Sequence, residues 1–310
     1  MNMEMEQLVG LLRAYEGWKR DEQGCVGDVR YSNGAFHFRR KPIDVTSTAA
    51  RQLCQLAGVP TVFFNKKLTE RERSSIFNRL MRESANEERL YRFHGDCLYG
   101  VVSPKYKKLD NVVLVDVIAA AEETGLDLRP IRYNLHPDHS IVSLVPVGNT
   151  NSELVPVIEF TNSENGLGSL QVWSGIYRWI CSNGMVFTLE GREESKWLHI
   201  GGADFKIPAL ERVLSSSVVN ITHLDRSRSF YLSASQKMYI AADMWECLGR
   251  QAAEKVIEIA QKEYKSGRTL FDVLNAITRT AQFFTGATRF EMERYAAEFL
   301  MRANDELVAA

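Results

Sequence analysis

The spacing of apolar residues predicts an alternation of helices and strands over the first 125 residues. Apolar side chains recur at helical intervals from Met3 to Tyr15. Asn33-Gly34 lies between two short apolar runs and predicts a β-hairpin over 29–38, because an Asn-Gly turn accepts positive φ angles. The other predicted elements are a helix that Thr46 or Ser47 caps and that ends near residue 57, a charged helix over 69–84, strand-like sequence over 91–102 and a helix over 111–123.

The pattern changes twice further along the chain. Between residues 126 and 200 the apolar runs are short, rich in β-branched residues and separated by turn residues, which predicts five or six strands. These runs cover 131–135, 140–147, 154–160, 169–173, 185–189 and 196–200. After Gly201-Gly202 the spacing becomes helical, over 209–221, 234–265, 269–284 and 289–303.

Together these elements predict an α+β fold. It would contain a mixed or antiparallel sheet of five to six strands with flanking helices and a helical C-terminal region. Residues 1–200 would form an α+β domain, with the central sheet over 126–200. Residues 203–310 would form a helical region that either packs on the same core or stands as a subdomain.

Composition limits the class of protein. The chain has 310 residues, with 38 Lys+Arg against 39 Asp+Glu and 45% hydrophobic residues, which is typical of a globular protein that needs no disulfides. Its longest runs without charged residues are too short to cross a bilayer, and its acidic start is the reverse of a secretory signal. The 5 cysteines are scattered, which indicates reduced thiols. We therefore expect a cytoplasmic protein without membrane contact.

The near-neutral total hides an uneven distribution of charge. Residues 30–108, here called the basic front, contain 16 Lys+Arg and 7 Asp+Glu, which leaves 22 against 32 in the rest of the chain. Its cations cluster beside aromatic residues at 39–41, 66–67 and 105–108. Cations that follow a phosphate backbone, next to rings that stack on bases, are the combination that binds single-stranded nucleic acid. The alternative is a set of solvated cations next to core aromatics.

A second cluster of aromatic residues lies between two Gly-rich turns. Trp173 lies in an alternating stretch, and Arg178 follows it between further aromatic residues. We expect Arg178 either to clamp these rings through a structural cation–π contact or to contact a phosphate or base. Asn183-Gly184 predicts a tight turn, and Cys181 predicts a small buried side chain.

Enzyme motifs are mostly missing from the sequence. It contains no G-x-x-x-x-G-K-[ST], G-x-G-x-x-G or H-E-x-x-H motif, so ATP hydrolysis is not expected. His136-Pro137-Asp138-His139 offers metal ligands without a complete set. Pro137-Asp138 followed by Glu194-Ser195-Lys196 is similar to the acidic pair and lysine of a metal-dependent nuclease, which stays a minor alternative. We predict no catalytic residue, no metal site and no cofactor, and a protein that is not an enzyme.

Four runs of residues carry a resemblance to a known family. They are VSPKYKKLDN at 102–111, NSENGLGS at 162–169, GIYRWICSNG at 175–184 and LFDVLNAITR at 270–279. In this order they resemble the phage/plasmid-like proteins of a widespread domain-of-unknown-function family, over roughly residues 90–300. The element Arg178-x-x-Cys181-Ser182-Asn183-Gly184 is the most specific of them. The resemblance implies a protein of phages, plasmids or integrated elements, in the bacterial host cytoplasm, and brings no established activity.

These observations lead to one main hypothesis and one alternative. We expect a non-enzymatic, homo-oligomeric protein of a phage or mobile element that binds nucleic acid, with single-stranded DNA binding or annealing in recombination or replication as its role. The residues predicted to contact nucleic acid are Arg39, Arg40, Lys41, Lys66, Lys67, Lys105, Tyr106, Lys107, Lys108, Trp173, Tyr177 and Arg178. The alternative is a homo-oligomeric assembly protein whose acidic helical region, from Asp243 onward, docks partner subunits without nucleic acid.

Overall fold

A computed structural model describes residues 3–123, 125–147, 154–178, 183–187, 196–199, 210–264 and 267–308. The α+β fold predicted from the sequence is confirmed. It contains two sheets, however, where the apolar pattern predicted one. The additional sheet lies in the first 102 residues, and the predicted hairpin is part of it.

The first sheet is mixed and has the strand order β1-β5-β6-β4-β3-β2. Only β4 and β6 pair in parallel; the other described pairs are antiparallel. Helices α2 to α4 pack on one of its faces around Tyr31, Leu53, Phe77 and Tyr91. The elements of this part are α1 (Met3–Gly17), β1 (Lys19–Cys25), β2 (Val29–Ser32), β3 (Ala35–Phe38), β4 (Lys41–Val45), α2 (Ser47–Leu56), α3 (Thr61–Lys67), α4 (Glu70–Glu83), β5 (Glu88–His94) and β6 (Cys97–Val102).

Local chemistry explains the predicted ends of these elements. Asn33 and Gly34 have φ angles of 51° and 78°, as the β2–β3 turn requires. The Thr46 side chain accepts a hydrogen bond from the main-chain nitrogen of Ala49 and caps α2. Thr69 and Glu72 form a capping box at the start of α4.

The second sheet is antiparallel and has the strand order β11-β10-β9-β8-β7, with the short β12 also pairing with β10. Helices α1, α5 and α6 cover one of its faces. Its elements are α5 (Val113–Glu123), β7 (Leu128–Asn134), β8 (Ser140–Pro146), β9 (Leu154–Asn162), β10 (Leu170–Arg178), β11 (Asn183–Phe187), β12 (Lys196–Trp197) and α6 (Leu210–Arg226).

Two parts of this sheet differ from the sequence-based expectation. The strand expected over 169–173 continues to Arg178. Asn183-Gly184, predicted as a tight turn, forms the start of β11 and pairs with Arg178 and Tyr177. Cys181 and the side chain of Arg178 lie outside the described residues.

The C-terminal region is helical and has an apolar core of its own. The helix predicted over 234–265 is divided at Gly249, whose φ of 79° no regular helix accepts. The last helix also packs on the second sheet, where Phe290 contacts Ile141 and Trp173. Its helices are α7 (Ala234–Leu248), α8 (Arg250–Glu263), α9 (Leu270–Ala281) and α10 (Gly286–Val308). Among the described helices, none combines the length and apolar character of a membrane span.

Candidate functional site

A buried arginine connects the two sheets. Arg92 of β5 has no exposed surface and donates to both carboxylate oxygens of Asp110, with Nη1–Oδ1 and Nη2–Oδ2 distances of 2.9 and 2.6 Å. Its Nε donates to Asp21 of β1 at 3.0 Å, and its Nη1 also donates to the main-chain oxygen of Glu164. Asp21 belongs to the first sheet, whereas Asp110 precedes α5 and Glu164 follows β9. The guanidinium therefore joins the two halves of the chain across a buried interface.

Lys19 supplies a second buried positive charge next to Arg92. Its Nζ lies 2.7 Å from a carboxylate oxygen of Glu16, 2.7 Å from one of Glu164 and 3.7 Å from one of Asp110. Oxygens of these three acids lie within 4.8 Å of one another, a spacing that suits a metal ion. The Lys19 side chain is only 4% exposed and its ammonium lies among the three carboxylates. The protein thus provides the charge that a cation would bring.

The loop after β9 reaches Arg92 because a glycine leaves room for it. A Cβ atom on Gly100 of β6 would lie 2.8 Å from Cβ of Asn165. The side-chain nitrogen of Asn165 donates to Asp138, and its main-chain oxygen accepts from Gln52 Nε2 at 2.8 Å. Gly166 follows with a φ of 84°, in the region that favours glycine. Hydrogen bonds and close packing therefore hold this loop against the first sheet.

The network changes the acidity of its members. Burial by itself would lower the pKa of Arg92, but the hydrogen bonds and charge of Asp110 raise it. Burial opposes ionisation of Asp21 as well, yet hydrogen bonds from Lys108 and Arg92 lower the pKa of that carboxyl. For Glu164 burial prevails over the nearby Lys19 and raises the pKa. Among the described residues, Oε2 of Glu164 is also a buried oxygen without a hydrogen-bond partner.

The first predicted basic cluster forms a turn that meets β1. Arg39 and Arg40 connect β3 to β4 with φ angles of 47° and 72°. The Arg39 side chain is 51% exposed; its Nη1 lies 3.0 Å from Glu22 Oε2 and its Nε lies 3.5 Å from Asp28 Oδ2. Arg40 and Lys41 are exposed. The first sheet is therefore curved enough to bring this turn beside its own edge strand.

The third predicted cluster meets the same strand from the other side. The Lys108 side chain is 53% exposed and its Nζ lies 2.7 Å from Asp21 Oδ2. Lys105 is exposed and Lys107 is half-buried. Asp21 and Glu22 are neighbours on β1, so their side chains point to opposite faces of the sheet. The clusters at 39–41 and 105–108 thus approach one edge strand from its two faces.

The second predicted cluster lies apart from β1. Lys66 and Lys67 are exposed in the last turn of α3. Phe64 of that helix packs on Tyr31 and Phe36, with ring centroids 5.1 and 6.1 Å apart. This cluster therefore lies beside the β2–β3 hairpin.

The predicted base-stacking residues are mostly buried. Tyr106 is 8% exposed, and its ring stacks on His199 at a centroid distance of 4.7 Å. Trp173 is 9% exposed and contacts Phe290 edge to face. Tyr177 is half-buried. A base needs an uncovered ring face, so these contacts do not support stacking by Tyr106 or Trp173.

Exposed aromatic rings are found elsewhere, in a groove between α1 and the ends of β5 and β7. Its volume is about 580 Å³. Trp18 at its rim is 66% exposed and Tyr133 is 44% exposed. The His94 ring contacts those of Tyr15 and Trp18, at centroid distances of 5.1 and 6.3 Å. The residues that line the groove are Leu11, Ala14, Tyr15, Trp18, His94, Tyr133, Asn134 and Leu135.

A separate buried charge cluster ties α10 to the second sheet. Arg132 of β7 donates to Glu159 of β9, with Nη2 2.7 Å from Oε1, and to Glu293 of α10, with Nη1 2.8 Å from Oε1. Both acids are at most 2% exposed. Ser143 Oγ donates to Glu159 Oε2 at 2.5 Å. Burial raises the pKa of Glu159, while the charge of Arg132 opposes this.

The nuclease-like and metal-ligand alternatives gain little from the geometry. Asp138 accepts hydrogen bonds from Thr48 Oγ1 at 2.8 Å and from Asn165. Its carboxylate therefore helps to hold the loop after β9 against the first sheet. Its partners in the predicted motif, Glu194 and Ser195, lie outside the described residues. Burial lowers the pKa of His139, the second histidine of that turn.

A protein-family model described as a domain of unknown function (DUF932) matches residues 99–303. The match contains Asp110 and Glu164, whereas Lys19, Asp21 and Arg92 precede it. No curated protein and no solved structure matches the chain significantly. The buried network therefore joins the matched region to the segment before it.

Proposed function

The chain belongs to the DUF932 family, and because that description names no function, we propose one from the surface of this chain: it binds single-stranded nucleic acid without catalysing a reaction on it. One observation carries the proposal. Two of the three basic clusters contact the same edge strand, β1, from its two faces, through Arg39 and Lys108. A flexible strand of nucleic acid passing this edge would lie within reach of both.

The exposure of the cations supports this arrangement. Arg20, Arg39 and Lys108 have side chains that are 55%, 51% and 53% exposed. Each pairs with an acid of β1, Glu22 or Asp21. The paired acids are more buried, Glu22 at 24% and Asp21 at 10%, so the exposed parts of the cations are what a phosphate can contact.

The proposal extends to the setting of the protein. The resemblance of the four sequence runs to phage/plasmid-like proteins is what supports single-strand binding or annealing during replication or recombination of a mobile element. We include in the proposal that it acts in the cytoplasm of a bacterial host, as a homo-oligomer. Non-specific phosphate contacts of this kind require no cofactor.

The test is the salt dependence of binding to a labelled oligonucleotide. We expect wild-type protein to bind single-stranded DNA at about 50 mM salt and to lose affinity steeply towards 200 mM, because each neutralised phosphate releases counterions. The triple variant Arg39→Gln/Arg40→Gln/Lys41→Gln should lower the slope of log K against log salt by about 2, since each single-strand contact contributes about 0.7. Glutamine removes the positive charge and keeps an unbranched polar side chain at each position.

A matched control removes three cations from another surface. Arg250, Lys255 and Lys262 lie on α8, with exposed fractions of 86%, 38% and 67%. Their triple glutamine variant has the same net charge as the turn variant and should bind like wild type. Equal losses in both variants would reduce the effect to net charge, and absence of binding at low salt would overturn the proposal.

A second candidate function is assembly through the helical region. On α7, Met238, Tyr239 and Trp245 are 75%, 66% and 51% exposed, an apolar surface that suits a protein partner. The acids of this region mostly pair with cations of the same region, for example Glu258 with Lys255 and Lys262. Ion pairs with the basic front are therefore not required to neutralise them. A light-scattering mass above one chain without nucleic acid, reduced by Trp245→Ser, would support this function.

A further inference from the structure

We propose that the groove at Trp18 binds a nucleobase of the single-stranded nucleic acid whose phosphates lie along β1. This inference rests on the proposed function and says which part of the nucleic acid the groove binds. The groove lies where α1 passes into β1, so it continues the strand at which the two basic clusters meet. Its volume of about 580 Å³ is within the range of small-ligand sites, about 300–1,000 Å³.

The rings of the groove are arranged for stacking. The His94 ring contacts both Tyr15, at an interplanar angle of 31°, and Trp18, on which it stacks at 30°. The Trp18 side chain is 66% exposed, whereas Tyr106 and Trp173 are buried. A base could therefore stack on the exposed part of the Trp18 ring. Base–aromatic stacking contributes about 1–3 kcal/mol per base and tolerates any base.

Polar groups at the groove suit a heterocycle better than an aliphatic ligand. Asn134 lines it with a carboxamide that can pair with base edges. In the described part of the chain, Nε2 of His94, a residue that lines the groove, is buried without a hydrogen-bond partner. Polar atoms of this kind are usually satisfied by water or a ligand.

Charge complementarity directs the strand to this place. Arg20 lies two residues after Trp18, and its side chain is 55% exposed. Lys19 is buried under Tyr15, with Nζ 4.8 Å from the ring centroid, and pairs there with Glu16, whose side chain is 37% exposed. Arg20 is therefore an exposed cation at one end of the groove, and Arg39 and Lys108 contact β1 further along the strand.

Two oligonucleotides separate base binding from phosphate binding. One carries thymine bases, and the other has the same length and phosphates but abasic sugars. We expect wild-type protein to bind the thymine strand at least about fivefold more tightly, and Trp18→Ala to remove this preference while it keeps affinity for the abasic strand. Tyr133→Ala should reduce the preference partly. Tyr231→Ala, which removes a ring that is 62% exposed from the segment before α7, should keep it.

The outcomes distinguish the two proposals. Equal binding of both strands by wild type would overturn the base site and leave the proposed function standing. Binding of neither strand at low salt would overturn the proposed function. Adenosine then tests the base site by itself: it should quench the tryptophan fluorescence of wild type but not that of Trp18→Phe. Absence of quenching in wild type would overturn the base site. A preference that survives Trp18→Ala places the base elsewhere and overturns the inference. A lower mass of Trp18→Ala than of wild type in light scattering would mean that a second copy of the chain occupies the groove. This outcome would also overturn the inference.

Discussion

Arg92 and Asp110 form a bidentate ion pair that crosses the boundary of the matched family domain. Arg92 lies in β5, before the matched residues, and Asp110 lies within them. Both N–O distances are below 3.0 Å and both side chains are at most 6% exposed. The first sheet and the matched region are thus joined by a contact that neither could satisfy alone.

Removing the Arg92 side chain should lower the free energy of unfolding. Arg92→Met leaves Asp110 buried without its main cation, and we expect a loss of about 3–5 kcal/mol in the free energy of unfolding. Chemical denaturation measures it. Arg89→Met is the matched control, because Arg89 lies on the same strand and pairs with Glu87, which is half exposed. Its loss should stay below about 1 kcal/mol; comparable losses in the two variants would contradict the role of the buried pair.

A single methyl group should disturb the same interface. Gly100→Ala places Cβ 2.8 Å from Cβ and 3.2 Å from Cα of Asn165, so the loop must move, and we expect a loss of about 1–3 kcal/mol. Gly10→Ala in α1 is the control, because outside the backbone of its own helix no atom lies within 4 Å of the place that the added methyl carbon would take. That change should stabilise the helix by about 0.5–1 kcal/mol. Thermal melting that shifts both variants in the same direction would refute the close-approach argument.

Local signals predicted much of the fold, because they depend on neighbouring residues. Thr46, Thr69 and the Asn33-Gly34 turn act through bonds to adjacent main chain, so their sequence positions were sufficient. Strand β1 was missed for a physical reason: Lys19, Arg20, Asp21 and Glu22 show no apolar alternation. Its buried face is lined by charges that find partners only in the folded chain.

The candidate site was less predictable for the same reason. The three basic clusters could be found from the sequence, and the structure places them in turns and at the end of α3. Whether an aromatic ring is free was not visible in the sequence, because Tyr106 is covered by His199, which lies 93 residues further on. Trp18 was overlooked because the charges that follow it are outside the basic front.

Glu164 should make stability depend on pH in a defined direction. Its pKa is raised above the ordinary value of 4.5, so its contribution to stability is present at low pH and is lost as the pH rises through the folded-state pKa. Glu164→Gln lacks this titration. Relative to wild type, its free energy of unfolding should therefore increase from about pH 4 to about pH 8. A difference between the two proteins that stays constant or falls over this range would show that the carboxyl is not destabilised by burial.

Arg132 offers a similar test at the other buried cluster. Its charge opposes the effect of burial on Glu159, so Arg132→Met should raise the pKa of Glu159 further and leave Glu293 without a shared cation. We expect a loss of about 3–5 kcal/mol near pH 8. A carboxyl with a raised pKa favours the folded state at low pH, so the loss should be smaller near pH 5, where Glu159 takes up a proton more readily. Arg294→Met, at a half-exposed arginine on α10 that pairs with Glu291 and Glu298, should cost below about 1 kcal/mol at both pH values. Chemical denaturation at the two pH values measures the loss in the free energy of unfolding. A loss that is independent of pH would mean that packing of the arginine, and not its charge, holds α10 on the sheet.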